Sequence, residues 1–148
     1  MQYVHTNIIA ENWQELVKFY AEVFGCKQLG PERHLSGQWV DELTGIKGCK
    51  IDGVHLTMPG YEGEPTLEIF SYSPSGTQHA KKVNNIGLGH LAFHVDNVEE
   101  TIKDVMRHGG KQYGELICED YGKELGVLTA AYVTGVEGNI IEVQNWKK

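Results

Sequence analysis

Gly87-Leu88-Gly89-His90-Leu91-Ala92-Phe93-His94-Val95-Asp96-Asn97 reads as a strand feeding a capped helix. The apolar and β-branched residues predict a strand over Leu88 to Val95, with His90 and His94 on one face because side chains alternate along an extended chain. Asn97, with Glu100 three residues on, forms a capping box that satisfies free N–H groups at a helix start. Val98, Ile102, Val105 and Met106 then build one apolar helical face, and Gly109-Gly110 stops the helix.

The start of the chain repeats this pattern. Tyr3 to Ala10 predicts a strand with His5 and Asn7 on one face and Val4, Thr6 and Ile8 on the other. Asn12 and Glu15 form a capping box, Trp13, Leu16, Val17, Tyr20, Val23 and Phe24 keep helical spacing, and Gly25 ends the helix. His5 and His90 are 85 residues apart, as are Asn12 and Asn97, Glu15 and Glu100, and Gly25 and Gly110. An internal repeat of this kind outranks local propensity in deciding a fold.

The remaining residues complete each copy. Cys26 to Gly48 is the least regular stretch, with a turn at Gly30-Pro31 and a weak strand at Gln38 to Val40. Ile51 to Met58 is a strand with Val54, Leu56 and Met58 opposite His55 and Thr57, and Thr66 to Phe70 is a strand with Glu68 opposite Leu67 and Ile69. Ser73 to Asn85 reads as a linker. In the second copy, Lys111 to Cys118, Val127 to Thr134 and Ile140 to Trp146 are strands, and Glu119 to Gly126 is a loop. The expectation is an α+β domain of two βαβββ modules, residues 1–84 and 85–148. Glu68 and Glu142, in the last strand of each module, are 74 residues apart, 11 fewer than the repeat. A loop insertion before Ile51 accounts for the difference.

Bulk properties bound the function. A 148-residue chain that is 41% hydrophobic and 22% charged has material for one substantial core. A net charge of −7 and only two arginines, Arg33 and Arg107, argue against nucleic acid as a partner. No apolar run approaches membrane-spanning length, and Met1 to His5 lacks the charged lead of a signal peptide, so a cytoplasmic protein is expected. Cys26, Cys49 and Cys118 form no CxxC pair and are expected as reduced, buried residues.

Two histidines and two glutamates recur at equivalent places in the modules. A carboxylate inside an apolar strand is costly to bury without a partner. One such residue is explained by a solvent-facing position, but a doubled His-plus-Glu pair is not surface decoration. His5, Glu68, His90 and Glu142 make an N2O2 set that suits a divalent ion such as zinc, nickel, cobalt, iron or manganese. Such an ion acts as a Lewis acid on a substrate oxygen, while Glu68 or Glu142 takes the proton next to a carbonyl through an enediolate. His94, His55, Thr57 and Tyr132 are weaker expectations for cavity-lining roles. His34, His79 and His108 are expected to be solvated in loops or at helix ends.

With Val4-His5 and the following helix, Thr66-Leu67-Glu68-Ile69-Phe70, Gly89-His90-Leu91-Ala92-Phe93-His94-Val95-Asp96 and Gly138-Asn139-Ile140-Ile141-Glu142-Val143, the chain resembles the vicinal oxygen chelate superfamily of glyoxalases, bleomycin-resistance proteins and dioxygenases. The resemblance implies curved mixed sheets around a metal cavity, with ligands on the first and last strands of each module. Its four-ligand set is similar to that of glyoxalase I, lactoylglutathione lyase, which implies isomerisation of a hemithioacetal. Epimerase, dioxygenase and non-catalytic resistance roles on the same scaffold are the alternatives. The resemblance also implies a homodimer acting on a small molecule. For the carboxylates of glutathione the loops offer only Arg33 and Lys123.

Overall fold

A computed structural model describes residues 1–148, which divide into two compact units, Met1–Gln78 and His79–Lys148. The first unit runs β1 (His5–Ile9), α1 (Trp13–Phe24), β2 (Lys27–Ser36), α2 (Gln38–Thr44), β3 (Lys50–Thr57) and β4 (Thr66–Ser73). Its sheet has the order β1-β4-β3-β2, with β1 parallel to β4 and the other pairs antiparallel. The parallel pair requires a crossover, and α1 begins it. Asn12 caps that helix by accepting from the Glu15 N–H at 3.2 Å, and Gly25 ends it at a left-handed φ of 70°.

Alternation along the strands separates the two faces of this sheet. Val54, Leu56, Leu67 and Ile69 are fully buried, as are Leu16 and Tyr20 of α1, which packs on β3 and β4. Each such aliphatic side chain contributes about 1.5–3 kcal/mol by leaving water. The opposite face carries His5, Asn7, His55 and Glu68, with the register Asn7↔Glu68↔His55.

The second unit runs β5 (Leu91–His94), α3 (Val98–Arg107), β6 (Lys111–Gln112), β7 (Ile117–Asp120), the single turn α4 (Gly122–Leu125), β8 (Val127–Thr134) and β9 (Ile140–Lys147). Its sheet has the order β5-β9-β8-β6, and β7 also pairs with β8. Asn97 accepts from the Glu100 N–H at 3.1 Å, while the Glu100 carboxylate takes the Lys103 ammonium at 2.6 Å. Val105, Val133, Ile141 and Val143 are fully buried, and α3 lies over β6, β8 and β9. No helix in the chain is long and apolar enough to cross a membrane.

Both sheets are mixed and the class is α+β, as the repeat predicts, with several local differences. Lys27–Ser36 is a ten-residue strand, and Gly30-Pro31 sits in a bulge between Leu29 and Arg33 instead of a turn. Gln38–Val40 belongs to helix α2, because the Asp41 carboxylate accepts from the Gly48 and Cys49 N–H groups and ties the following loop back. The strand expected over Lys111 to Cys118 is broken in two, and the loop after it contains α4. The second module's first strand starts only after His90. Helix α3 reaches its left-handed glycine at Gly109, one residue before the repeat position of Gly25. Cys26 and Cys49 are buried, but Cys118 lies on β7, whose residues are all exposed.

The 11-residue shift is also divided. His55 and Tyr132 are the cross-strand partners of Glu68 and Glu142, and they lie 50 and 42 residues after His5 and His90. Eight extra residues therefore precede β3, where α2 stands, and three lie in the β3–β4 connection.

Gly53 on β3 sits where a Cβ would run into the Ile69 carbonyl oxygen and the Phe70 ring. Gly53→Ala is expected to lower stability by about 1–3 kcal/mol through overpacking. Urea denaturation measures this, and an unchanged midpoint would show that β3 and β4 do not approach so closely.

Candidate metal centre

In the first unit Glu68 is the hub. Its Oε2 is 3.2 Å from His5 Nε2 and accepts from Asn7 Nδ2 at 3.2 Å, while Oε1 is 3.0 Å from His55 Nε2. His55 Nδ1 lies 3.2 Å from the Thr66 hydroxyl. The Glu68 side chain is only 12% exposed, so these donors replace the water that a buried carboxylate loses. Burial lowers the pKa of His55, with Arg33 and His5 acting in the same direction and Glu68 opposing them.

The second unit repeats the pair with fewer supports. His90 Nε2 is 3.0 Å from Glu142 Oε2, and the Tyr132 ring stands edge-on to His90 with centroids 5.2 Å apart. Tyr132 occupies the register position that His55 holds in the first unit. Glu142 therefore has one side-chain partner where Glu68 has three.

The register explains why both pairs form. Asn7 is the parallel partner of Glu68, and His5 lies two residues before it on the same face. Ala92 is the parallel partner of Glu142, and His90 lies two residues before it. Two donors held by one divalent ion at about 2.0–2.2 Å, at angles between square and tetrahedral, stand about 2.8–3.6 Å apart. The His–Glu separations of 3.2 and 3.0 Å fall at that spacing. The donor chemistry of each pair thus fits a divalent ion. No group of three or more His, Cys, Asp or Glu side chains in the chain, the His5, His55 and Glu68 trio included, is arranged to hold a metal ion.

The other sequence-predicted residues are placed as follows. His55 joins Glu68, and Tyr132 joins His90. Thr57 donates its hydroxyl to the Lys27 carbonyl at 3.3 Å and so braces β2 against β3. His94 is exposed at the end of β5 and joins neither pair. His34 lies in strand β2, not in a loop, and His108 closes α3 with Nδ1 donating to the Asp104 carbonyl at 2.8 Å. Lys123 lies in α4, and Arg33 lies in β2.

A pocket of about 710 Å³ opens on the Glu68 face of the first unit. His5, Asn7, His55 and Glu68 line its polar end. Leu43, Thr44 and Ile46, at the end of α2 and just beyond it, form part of its wall. Helix α2 is seated by Val40, which packs with Cys49, Ile51 and Phe70 in a small core of its own. No sequence periodicity marked this wall, because a seven-residue helix between two glycines carries little helical signal.

His34 Nδ1 lies 2.6 Å from Asp52, and that hydrogen bond raises the imidazole pKa, with Glu32 adding to it. A histidine whose folded pKa is raised contributes stability below its ordinary value near 6.5, lost as pH rises through the folded value. The expected NMR titration midpoint of His34 is above 6.5 and falls back in Asp52→Asn. The same midpoint in both proteins would remove the pairing.

The family model described as the glyoxalase/bleomycin resistance protein/dioxygenase superfamily matches residues 4–123. No curated protein matches the chain. Among solved structures, a glyoxalase family protein from Bacillus cereus is 20% identical with a TM-score of 0.84, over 100% of this chain and 95% of that one. One from Enterococcus faecalis is 25% identical with a TM-score of 0.61, over 97% and 96%. A glyoxalase/bleomycin resistance protein/dioxygenase family enzyme from Burkholderia phytofirmans is 16% identical with a TM-score of 0.57, over 99% and 100%. With its matched residues spanning both modules, the chain belongs to the glyoxalase/bleomycin resistance protein/dioxygenase superfamily.

Proposed function

We propose that the chain is a metal-dependent lyase or isomerase of glyoxalase type that moves a proton next to a carbonyl, using a divalent ion held by His5, Glu68, His90 and Glu142. The observation that carries this reading is the doubled His–Glu pair, at the same register in both modules and at donor spacings of 3.2 and 3.0 Å. When bound, the ion supplies Lewis-acid stabilisation of charge developing on a substrate oxygen.

The two carboxylates divide the work. Glu68 is held at both oxygens by His5, Asn7 and His55, which suits an anchoring ligand. Glu142 keeps acceptor capacity on Oε1, since only His90 engages it, through Oε2. Glu142 is therefore the proton acceptor in this reading, and His90 steadies it. His55 acts through Glu68 as a positioning residue. No thiolate or covalent nucleophile takes part. The family's non-catalytic role is the second reading, and the 710 Å³ pocket favours it as a place for a small ligand. It differs in expecting ligand binding to survive His5→Ala combined with His90→Ala.

Metal analysis of protein purified without added metal is expected to find about one divalent ion per chain and a large loss in both Glu68→Ala and Glu142→Ala. Unchanged metal in either variant would sink the four-donor set. Turnover of methylglyoxal with glutathione, abolished by chelator, would support the narrower lactoylglutathione lyase label. Metal-loaded protein without that turnover removes the label and leaves proton transfer on another carbonyl compound.

The positioning role of His55 has its own readout. His55→Phe is expected to weaken metal affinity about 10–100-fold in competition with a chromophoric chelator. His55→Gln, which keeps a donor for Glu68, is expected to recover most of it. Equal affinities in all three proteins would make His55 a bystander.

A further inference from the structure

The pocket beside Glu68 has a feature that the metal reading does not use. Arg33 lines it, and none of the chain's ion pairs includes Arg33. Register explains this. Opposite Arg33 on β3 is Gly53, which has no side chain, and beyond it on β4 is Phe70. The two acidic residues nearby on β2 and β3, Glu32 and Asp52, are taken by His34, at 3.5 and 2.6 Å. Arg107, the other arginine, is already paired with Asp104. In a chain of net charge −7, Arg33 is thus a guanidinium left open on a pocket wall.

Its surroundings define the ligand further. The next row along the sheet is Leu35↔Ile51↔Tyr72, and Leu43 and Ile46 face it from the α2 segment. The row on the other side of Arg33 is His55↔Glu68. The wall therefore runs from a His–Glu pair, past one cation, to an apolar end. A planar guanidinium matches a carboxylate with two parallel N–H donors.

We infer that this pocket takes an organic monocarboxylate with an aromatic or branched apolar body, its carboxylate on Arg33 and its body against the α2 wall. Glutathione is a poor match, because its two carboxylates would meet a single arginine on this wall, with an apolar surface on the side away from the His–Glu pair. The inference deepens the proposed function by naming a substrate class for the same site, but its ligand contacts do not require the metal.

The test uses 4-phenylbutyrate and its neutral counterpart 4-phenylbutan-1-ol, titrated calorimetrically into the full chain as purified and again after chelation. The acid is expected to bind tenfold or more tightly than the alcohol, the scale of a charge-assisted hydrogen-bonded pair. Arg33→Gln is expected to abolish that difference while leaving alcohol binding unchanged, and Arg33→Lys to keep part of it. Leu43→Ser is expected to weaken both compounds alike. Equal binding of acid and alcohol in the parent, or an equal loss of both in Arg33→Gln, would overturn the proposal. S-methylglutathione binding more tightly than 4-phenylbutyrate would also overturn it. Arg33-dependent binding that persists in chelated protein supports the pocket even if metal analysis fails the four-donor set. Metal-loaded protein whose acid binding ignores Arg33 fails the pocket alone.

Discussion

The parallel pairing of the first and last strands in each module is the constraint on which the rest depends. It joins residues far apart in sequence, His5 to Thr66 and Leu91 to Ile141, at a fixed register. Because side chains alternate, a histidine two positions before the partner of a glutamate lies on the glutamate's face. The same register in both sheets converts a sequence repeat into a repeated chemical pair. A slip of one residue would turn Glu68 or Glu142 into the apolar core and present a valine, leucine or isoleucine in its place.

The modules then diverge in what surrounds the pair. Across from Glu68 stands His55, and across from Glu142 stands Tyr132. The first carboxylate is tied at both oxygens and the second at one. The first module also carries α2, whose Val40 seats it on Ile51 and Phe70 beside the pocket. A symmetric scaffold thereby acquires one anchored carboxylate, one with spare acceptor capacity, and an apolar wall on one side only. Superfamily membership covers enzymes and non-enzymes alike, so function lies in the pairs and the pocket and not in the fold.

Much was legible in the sequence because it rests on short-range rules. The caps Asn12 and Asn97, the stop at Gly25, and the outward histidines and glutamates follow from local hydrogen bonding and alternation. The class and the doubled module followed from the 85-residue spacing. Three features escaped for identifiable reasons. Gly30-Pro31 resembles a turn, yet a bulge absorbs it within β2. Helix α2 is too short to show periodicity and depends on the Asp41 tie to the following loop. Cys118 was expected inside because cysteine is commonly buried, but all four residues of β7 are exposed.

The sequence alone determined that His5 pairs with Glu68 and His90 with Glu142, and the class of fold, since periodicity, capping and repetition are properties of the chain read locally. Only the tertiary structure decided which oxygens of Glu68 meet His5, Asn7 and His55, that Glu142 is held by His90 alone, and that Arg33 is left out of the chain's ion pairs. Those outcomes depend on cross-strand register between segments tens of residues apart. Register is set by the burial of whole strand faces together, and no single stretch of sequence carries that information.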